Sequence, residues 1–190
     1  MSENTPKRRA SLWLIGVLCI APVAASYFAY YVMPPGGHTN YGELMGAMPL
    51  PDARLQLVDG TPFQLSQLRG KWVLLMADSA RCGDACQRKL FTVRQLRLTQ
   101  GKDMERIERA WLISDDAAPP DALMSDYRGT WLVRAAASEL LNRLPAERAR
   151  TEYIYLIDPL GNLVLRYGRD AEPGKMIKDL SRLLKTSRIG

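Results

Sequence analysis

The chain has 190 residues, 24% of them charged and 47% hydrophobic, which is enough for one domain with a sizeable apolar core. Its three cysteines, Cys19, Cys82 and Cys86, are too few for a fold stapled together by bridges. The net charge of +6 is interspersed with acidic residues and forms neither a basic stripe nor a nucleic-acid motif, so nucleic acid is not an expected partner.

Lys7, Arg8 and Arg9 precede a run from Leu12 to Met33 that is free of charge and mostly apolar. A helix of that length spans the hydrocarbon core of a bilayer. Pro22 is tolerated within such a helix, and Tyr27, Phe28, Tyr30 and Tyr31 form an aromatic belt at its far end. No charge follows until Glu43, so the basic residues keep 1–11 in the cytoplasm and place the large domain outside. A cleaved signal peptide, cut near Ala24, Ala25 and Ser26, is the competing reading. The long apolar stretch and its aromatic end favour an anchor over 12–33. Val17 and Leu18 before Cys19 do not make a lipoprotein signal, and Cys19 reads as an apolar helix residue. Either reading exports the domain, so Cys82 and Cys86 meet an oxidising compartment.

Residues 34–47 read as a linker by their Pro, Gly and Asn content, and the folded domain is expected over 48–190. His38, the one histidine, lies in this linker and reads as a solvated residue. The alternation from Ala53 to Val58 meets Asp59-Gly60, a hairpin turn leading into Thr61 to Leu65. Ser66 to Arg69 is a short helical turn stopped by Gly70. Lys71 to Ala77 is a continuous apolar run, as a central buried strand requires. The segment from Gly83 to about Gln100 reads as a helix with Cys86, Leu90, Val93 and Leu96 on one face. Glu105-Arg106-Ile107-Glu108-Arg109 reads as a solvated helix face, and Ala110 to Ile113 as a strand. Pro119 and Pro120 open a short helix through Tyr127, and 136–144 is helical. Tyr153 to Ile157 and Leu163 to Tyr167 flank the turn residues Asp158 to Asn162. Met176, Ile177, Leu180, Leu183 and Leu184 stripe a final helix. Strands alternating with helices, then a hairpin and a closing helix, give an α/β fold with a mixed central sheet flanked by helices.

Cys82 and Cys86 sit where the buried strand gives way to a helix. At i and i+4 on a helix, Cβ atoms lie about 5–6 Å apart. A disulfide wants about 3.8 Å. The pair closes only if the first turn loosens, which Gly83 permits. Unpaired N–H groups of that turn favour a thiolate at Cys82, as do Arg81, Arg88 and Lys89, while Asp84 opposes it. Cys82 is therefore expected to be the exposed, attacking thiol and Cys86 the buried, resolving one. An inert, structural bridge in a non-catalytic assembly or interaction protein is the alternative, although its short loop gives little entropic stabilisation. Two thiolates also suffice for soft Cu(I), and Met76 is placed to assist but reads as core. Asp115 and Asp116 read as a solvated loop, and Trp111 and Trp131 as core.

Gly70-Lys71-Trp72-Val73-Leu74-Leu75 followed by Cys82-x-x-x-Cys86 resembles the thioredoxin-like Sco/SenC proteins, membrane-anchored factors of cytochrome c oxidase assembly. Leu112 to Asp116 with Pro120 to Leu123, and Tyr155 to Leu163, are similar to further segments of that family. The resemblance implies a thioredoxin-like fold whose two cysteines, here Cys82 and Cys86, bind copper with a histidine. It also implies oxidase subunits or other assembly factors as partners, and a single-pass protein of the inner membrane with a periplasmic domain. Arg150 falls nearest the place of the family's histidine, and Gly83 replaces its proline after the first cysteine. Arg150 cannot ligate a metal. By the same analogy it is expected near the thiols, which favours thiol–disulfide exchange over copper.

Overall fold

The computed structural model describes residues 6–32 and 40–187, without side chains at 6–12, 30 and 32. His38 and residues 33–39 of the expected anchor end and linker lie outside the described residues. The chain divides into two units, 1–39 and 40–190.

The described residues of the first unit form the helix α1 (Pro6–Val32), with Pro22 inside it. Trp13, Leu14, Val17, Leu18, Ile20 and Phe28 are exposed on it, and the Tyr27 and Tyr31 rings stack at 5.6 Å. Among the described residues no helix is long and apolar enough to cross a membrane. Leu12, Tyr30, Val32 and Met33, which belong to the charge-free run, contribute no described side chain.

The second unit is an eight-stranded mixed sheet. Its strands are β1 (Glu43–Pro49), β2 (Leu55–Leu57), β3 (Pro62–Phe63), β4 (Trp72–Asp78), β5 (Ile107–Ile113), β6 (Thr130–Arg134), β7 (Ile154–Ile157) and β8 (Asn162–Tyr167). Their order across the sheet is β1-β8-β7-β4-β5-β6-β2-β3. β4, β5 and β6 are parallel, and the remaining pairings are antiparallel. The helices are α2 (Asp84–Leu98), α3 (Asp121–Asp126), α4 (Glu139–Arg143) and α5 (Pro173–Thr186). This is the expected α/β fold with helices about a mixed sheet.

β4 is central because its residues up to Ala77 are apolar and only Asp78, at its end, carries a charge. Trp72 to Ala77 are all buried, with Leu75, Ala77 and Tyr155 on one face of the sheet and Leu74, Leu156, Val93 and Leu180 on the other. Each fully buried Leu of this kind contributes about 1.5–3 kcal/mol relative to exposure. The stripes on α2 and α5 supply the second face, as their spacing predicts. Met76, Ala80, both cysteines, Leu90, Trp111 and Ile113 form a third cluster at the C-terminal end of β4.

Three segments differ from the sequence reading. The sheet starts at Glu43, inside the stretch read as linker. β1 is broken by left-handed residues Gly46 (φ 66°) and Ala47 (φ 52°), so its apolar residues do not alternate cleanly. Thr130 to Arg134, for which no element is expected, is β6 and pairs with β5. The Glu105–Arg109 segment is not a solvated helix. A 3-10 turn ends at Arg106 and β5 begins at Ile107, with Arg109 buried. In a strand Ile107 and Arg109 share a face and Glu108 takes the other, so a two-residue period wins over the helical one.

Two buried charges tie the edge strand to the rest. Arg166 on β8 pairs with Glu43 (2.5 Å) and Glu147 (2.8 Å) and lies over the Tyr153 ring at 4.5 Å. Asp179 on α5 accepts the backbone N–H groups of Tyr41 (3.0 Å) and Gly42 (2.8 Å) and the Tyr167 hydroxyl (3.4 Å).

Candidate functional site

β4 delivers the chain to the sheet's C-terminal edge, and residues 79–83 turn it into α2. Cys82 and Cys86 are joined there as a disulfide, with Cα atoms 5.0 Å apart. The bond requires the loosened turn that Gly83 permits. Gly83 is the N-cap of α2 with extended backbone, its carbonyl accepts the Gln87 N–H at 3.0 Å, and Cys82 is left-handed at φ 37°. A left-handed non-glycine residue is strained and persists only where its surroundings hold it. The holding groups are visible. The Cys82 N–H donates to the Ser79 carbonyl (3.1 Å), and the Gln87 side chain donates to the Cys82 carbonyl (3.1 Å).

Asp115 fixes the front of the same loop. Its carboxylate accepts the Ser79 hydroxyl (2.5 Å) and the Ala80 N–H (3.1 Å). The Ser79 bond, before the Ala80 bond, holds this carboxyl below its usual range. Asp115 lies in a partly exposed loop beyond β5, and from there it reaches back to brace the turn before Cys82.

Both cysteines are 2% exposed, and Cys82 packs with Met76, Leu90 and Trp111. The expectation of an exposed Cys82 does not hold for the closed pair, because the left-handed turn folds that side chain under the loop. Met76 is core, as read, and so are Trp111 and, in part, Trp131.

A cleft of about 610 Å³ opens beside the pair, and its walls include Cys86, Asp78, Lys89, Thr151, Glu152 and Met176. Lys89 lies one turn beyond Cys86 on α2. Its ammonium is 2.7 Å from the Asp78 carboxylate and donates to the Ala77 carbonyl (3.1 Å) and to the Thr151 carbonyl. Burial pushes its pKa down, and the Asp78 bond and charge act against that.

Arg150 does not line this cleft. Its guanidinium donates to the carbonyls of Leu144 (3.2 Å) and Asn142 (3.0 Å). The cations that line the cleft with Cys86 are Arg88, Lys89 and Arg169, not the residue in the family histidine's place. Among the described residues no group of three or more His, Cys, Asp or Glu side chains is arranged to hold a metal. Among the described His, Cys, Asp and Glu side chains the two thiols find no third partner for a three-coordinate copper site, and Met76 is the other soft donor in their cluster.

The sequence profile of the family described as transmembrane-like, thioredoxin-like, C-terminal domain matches residues 72–187, which run from β4 through α5. The chain belongs to this family. The disulfide-bonded cysteine pair sits at the β4–α2 junction within the matched segment. No curated protein sequence matches significantly. Among solved structures, yeast Sco1 with copper bound superposes with a TM-score of 0.60 at 18% identity, over 73% of this chain and 94% of that one. ScoI of Bradyrhizobium japonicum with copper bound gives 0.55 at 20%, over 70% and 98%. Apo Sco1 of Thermus thermophilus gives 0.56 at 21%, over 79% and 98%. At these identities the likeness is one of fold, and the fold is the Sco-like thioredoxin fold that the sequence resemblance implies.

Proposed function

We propose that this chain is a membrane-anchored, Sco-like thioredoxin-fold protein of cytochrome c oxidase assembly, acting by thiol–disulfide exchange through Cys82 and Cys86. The observation that carries the reading is the closed pair at the β4–α2 junction, with one member on the wall of an open cleft. The α1 run supports an inner-membrane anchor with the domain in the periplasm, and its exposed Trp13, Leu14, Val17 and Phe28 suit a lipid environment. The partners of this reading are oxidase subunits or other assembly factors, met at the periplasmic surface.

In the exchange a thiolate of the partner attacks one sulfur of the pair, the Cys82–Cys86 bond breaks, and the electron pair leaves on the other sulfur as a thiolate. A second thiolate of the partner then displaces the sulfur still bound to this chain, so that a partner dithiol is oxidised and the pair is left reduced; the reverse sequence reduces a partner disulfide and closes the pair. Cys82 is the member that swings out. It lies on a loop held by the Asp115 and Gln87 side chains, whereas Cys86 is fixed within α2. Cys82 therefore makes and breaks the bond with the partner, and Cys86 resolves it. Thiol trapping in intact cells tests this: a fraction of the chain should be found reduced or in mixed disulfides. A pair that is always closed would end the exchange reading and leave an inert bridge.

Copper(I) binding by the same two cysteines is the second reading, favoured by the copper-bound Sco structures that share the fold. It requires the reduced pair and, within the described residues, only two ligands.

A further inference from the structure

Arg109 is the buried residue that the exchange reading leaves unused. It lies on β5 opposite Leu74 of β4, four residues before the register position of Asp78, and so toward the end of the sheet away from the disulfide. The residue is 5% exposed. Its Nη2 donates to the Arg128 carbonyl at 2.6 Å, but its Nε and Nη1 are buried with no hydrogen-bond partner. A Cβ at Gly129 (φ 76°) would lie 3.3 Å from Nη2, so glycine there lets the loop pass close over the guanidinium.

The groups around it are also cationic. Arg94 on α2 is exposed and donates to the Asp126 carbonyl at 3.2 Å. Arg97, one turn on, donates to the Ile107 carbonyl (2.8 Å) and meets Glu105 at 3.4 Å, a carboxylate 71% exposed. Glu108 is adjacent in sequence but accepts the Trp131 N–H (3.1 Å), on the alternate side of the strand. Burial first, then Arg97 and Arg94, push the Arg109 pKa down, and Glu108 opposes them least. A guanidinium cannot shed its proton near neutral pH, so a buried, unpaired one calls for an anion. Three forks together suit the several acceptor oxygens of a phosphate group better than one carboxylate.

We propose that Arg109, Arg94 and Arg97 form a binding site for a phosphate group, between α2 and the loop that precedes β6. The phosphate enters by displacing the carbonyls of Asp126 and Arg128 from Arg94 and Arg109. α3 buries no residue, so this cover is thin, and water satisfies the displaced carbonyls. The source is a free phosphate ion or the phosphodiester of a lipid headgroup. The site is separate from the cysteine pair and does not rest on the exchange reading.

Calorimetric titration of the full chain at fixed ionic strength tests it, with inorganic phosphate in one arm and dihexanoyl phosphatidylglycerol below its micelle concentration in the other. Saturable binding is expected in at least one arm, and the tighter arm identifies the source. Arg109→Gln should weaken it by about tenfold or more, as loss of charge-assisted hydrogen bonds does. Arg88→Gln, nearer the disulfide end of α2, should leave it unchanged. Absence of saturable binding, an unchanged affinity in Arg109→Gln, or equal weakening by Arg88→Gln would each overturn the site. Should Arg109→Gln fail to fold, the double variant Arg94→Gln with Arg97→Gln decides in its place, and unchanged affinity there overturns the proposal.

Discussion

The Lys89 ammonium lies 2.7 Å from the Asp78 carboxylate in the wall of the cleft that Cys86 also lines, with the two side chains only 12% and 16% exposed. The pair closes the C-terminal end of β4 onto the first turns of α2, so it braces the frame of the disulfide. Removing one partner of a buried pair leaves the other charge uncompensated and costs about 3–5 kcal/mol. Lys89→Met also frees the Ala77 and Thr151 carbonyls and should fall in that range. Adding Asp78→Asn should recover part of the loss, with a coupling of about 0.5–3 kcal/mol in a double-mutant cycle. Denaturant unfolding of the oxidised chain measures it, and strictly additive losses would show that the two groups do not act as a pair.

Asp115 braces the other side of the same turn. Its folded pKa is depressed from 3.8, chiefly by the Ser79 hydroxyl. Its stabilisation is therefore complete above about pH 4 and is lost as pH falls through the lower, folded value. In Asp115→Asn the acid-unfolding limb below about pH 4 should flatten by this contribution. Asp115→Ala should also release residues 79–81, so that a phosphine reductant opens the disulfide about tenfold faster, one charge-assisted bond's worth of local stability. An unchanged reduction rate would mean that the loop opens without breaking the Asp115 bonds.

How much of this was legible in the sequence depends on whether burial and polarity agree. The run from Trp72 to Ala77 is buried throughout, and the apolar residues of the Asp59-Gly60 hairpin and of the α5 stripe are buried or partly buried, so pattern and structure coincide. The cysteine pair is legible for the same reason, since Cys86 extends the Leu90–Val93 face. Arg109 defeats pattern reading because a charge occupies an inward position of β5. β1 defeats it because two left-handed residues break its alternation. Lys89 reads only as a charge favouring thiolate, and its partner Asp78 falls just beyond the apolar run that reads as a strand. The signal available was an acid closing a fully buried run, with a base one turn beyond the second cysteine. Asp115 gave no signal, because its partners lie 35 and 36 residues away.

Single-cysteine variants separate the roles of the pair. If Cys82 carries the partner and Cys86 resolves it, Cys86→Ser should accumulate mixed disulfides through Cys82, while Cys82→Ser should not. Non-reducing electrophoresis after acid quenching reads this directly. Accumulation in Cys82→Ser alone would reverse the assignment, with Cys86 reacting through the cleft that it lines.

The copper reading has its own test. Anaerobic loading of the reduced chain should leave about one Cu(I), held by two thiolates and lost in either single-cysteine variant. X-ray absorption should show sulfur donors without an imidazole contribution from the Arg150 position. A reduced chain that remains empty after loading ends this reading and leaves the exchange reading intact.

A single carboxylate gathers the backbone that leads into β1. Asp179 is 3% exposed and accepts from Tyr41, Gly42 and the Tyr167 hydroxyl. Burial first, then Asp179 itself, push the Tyr167 pKa up, so its hydroxyl stays protonated and donates. Gly42 is fixed in identity, because a Cβ there would lie 2.6 Å from the Tyr167 ring. Asp179→Ala strands two N–H groups and a hydroxyl, each costing about 1–3 kcal/mol if it stays buried. Backbone at a chain entry can instead turn to water, so the loss should appear locally as loosening of residues 41–44 and β1 rather than global unfolding. Hydrogen exchange at the Tyr41 and Gly42 amides should accelerate in Asp179→Ala, and less in Asp179→Asn, which keeps a carbonyl acceptor. Slow exchange at both amides in Asp179→Ala would mean that the pairing of β1 with β8, not the carboxylate, holds this end of the sheet.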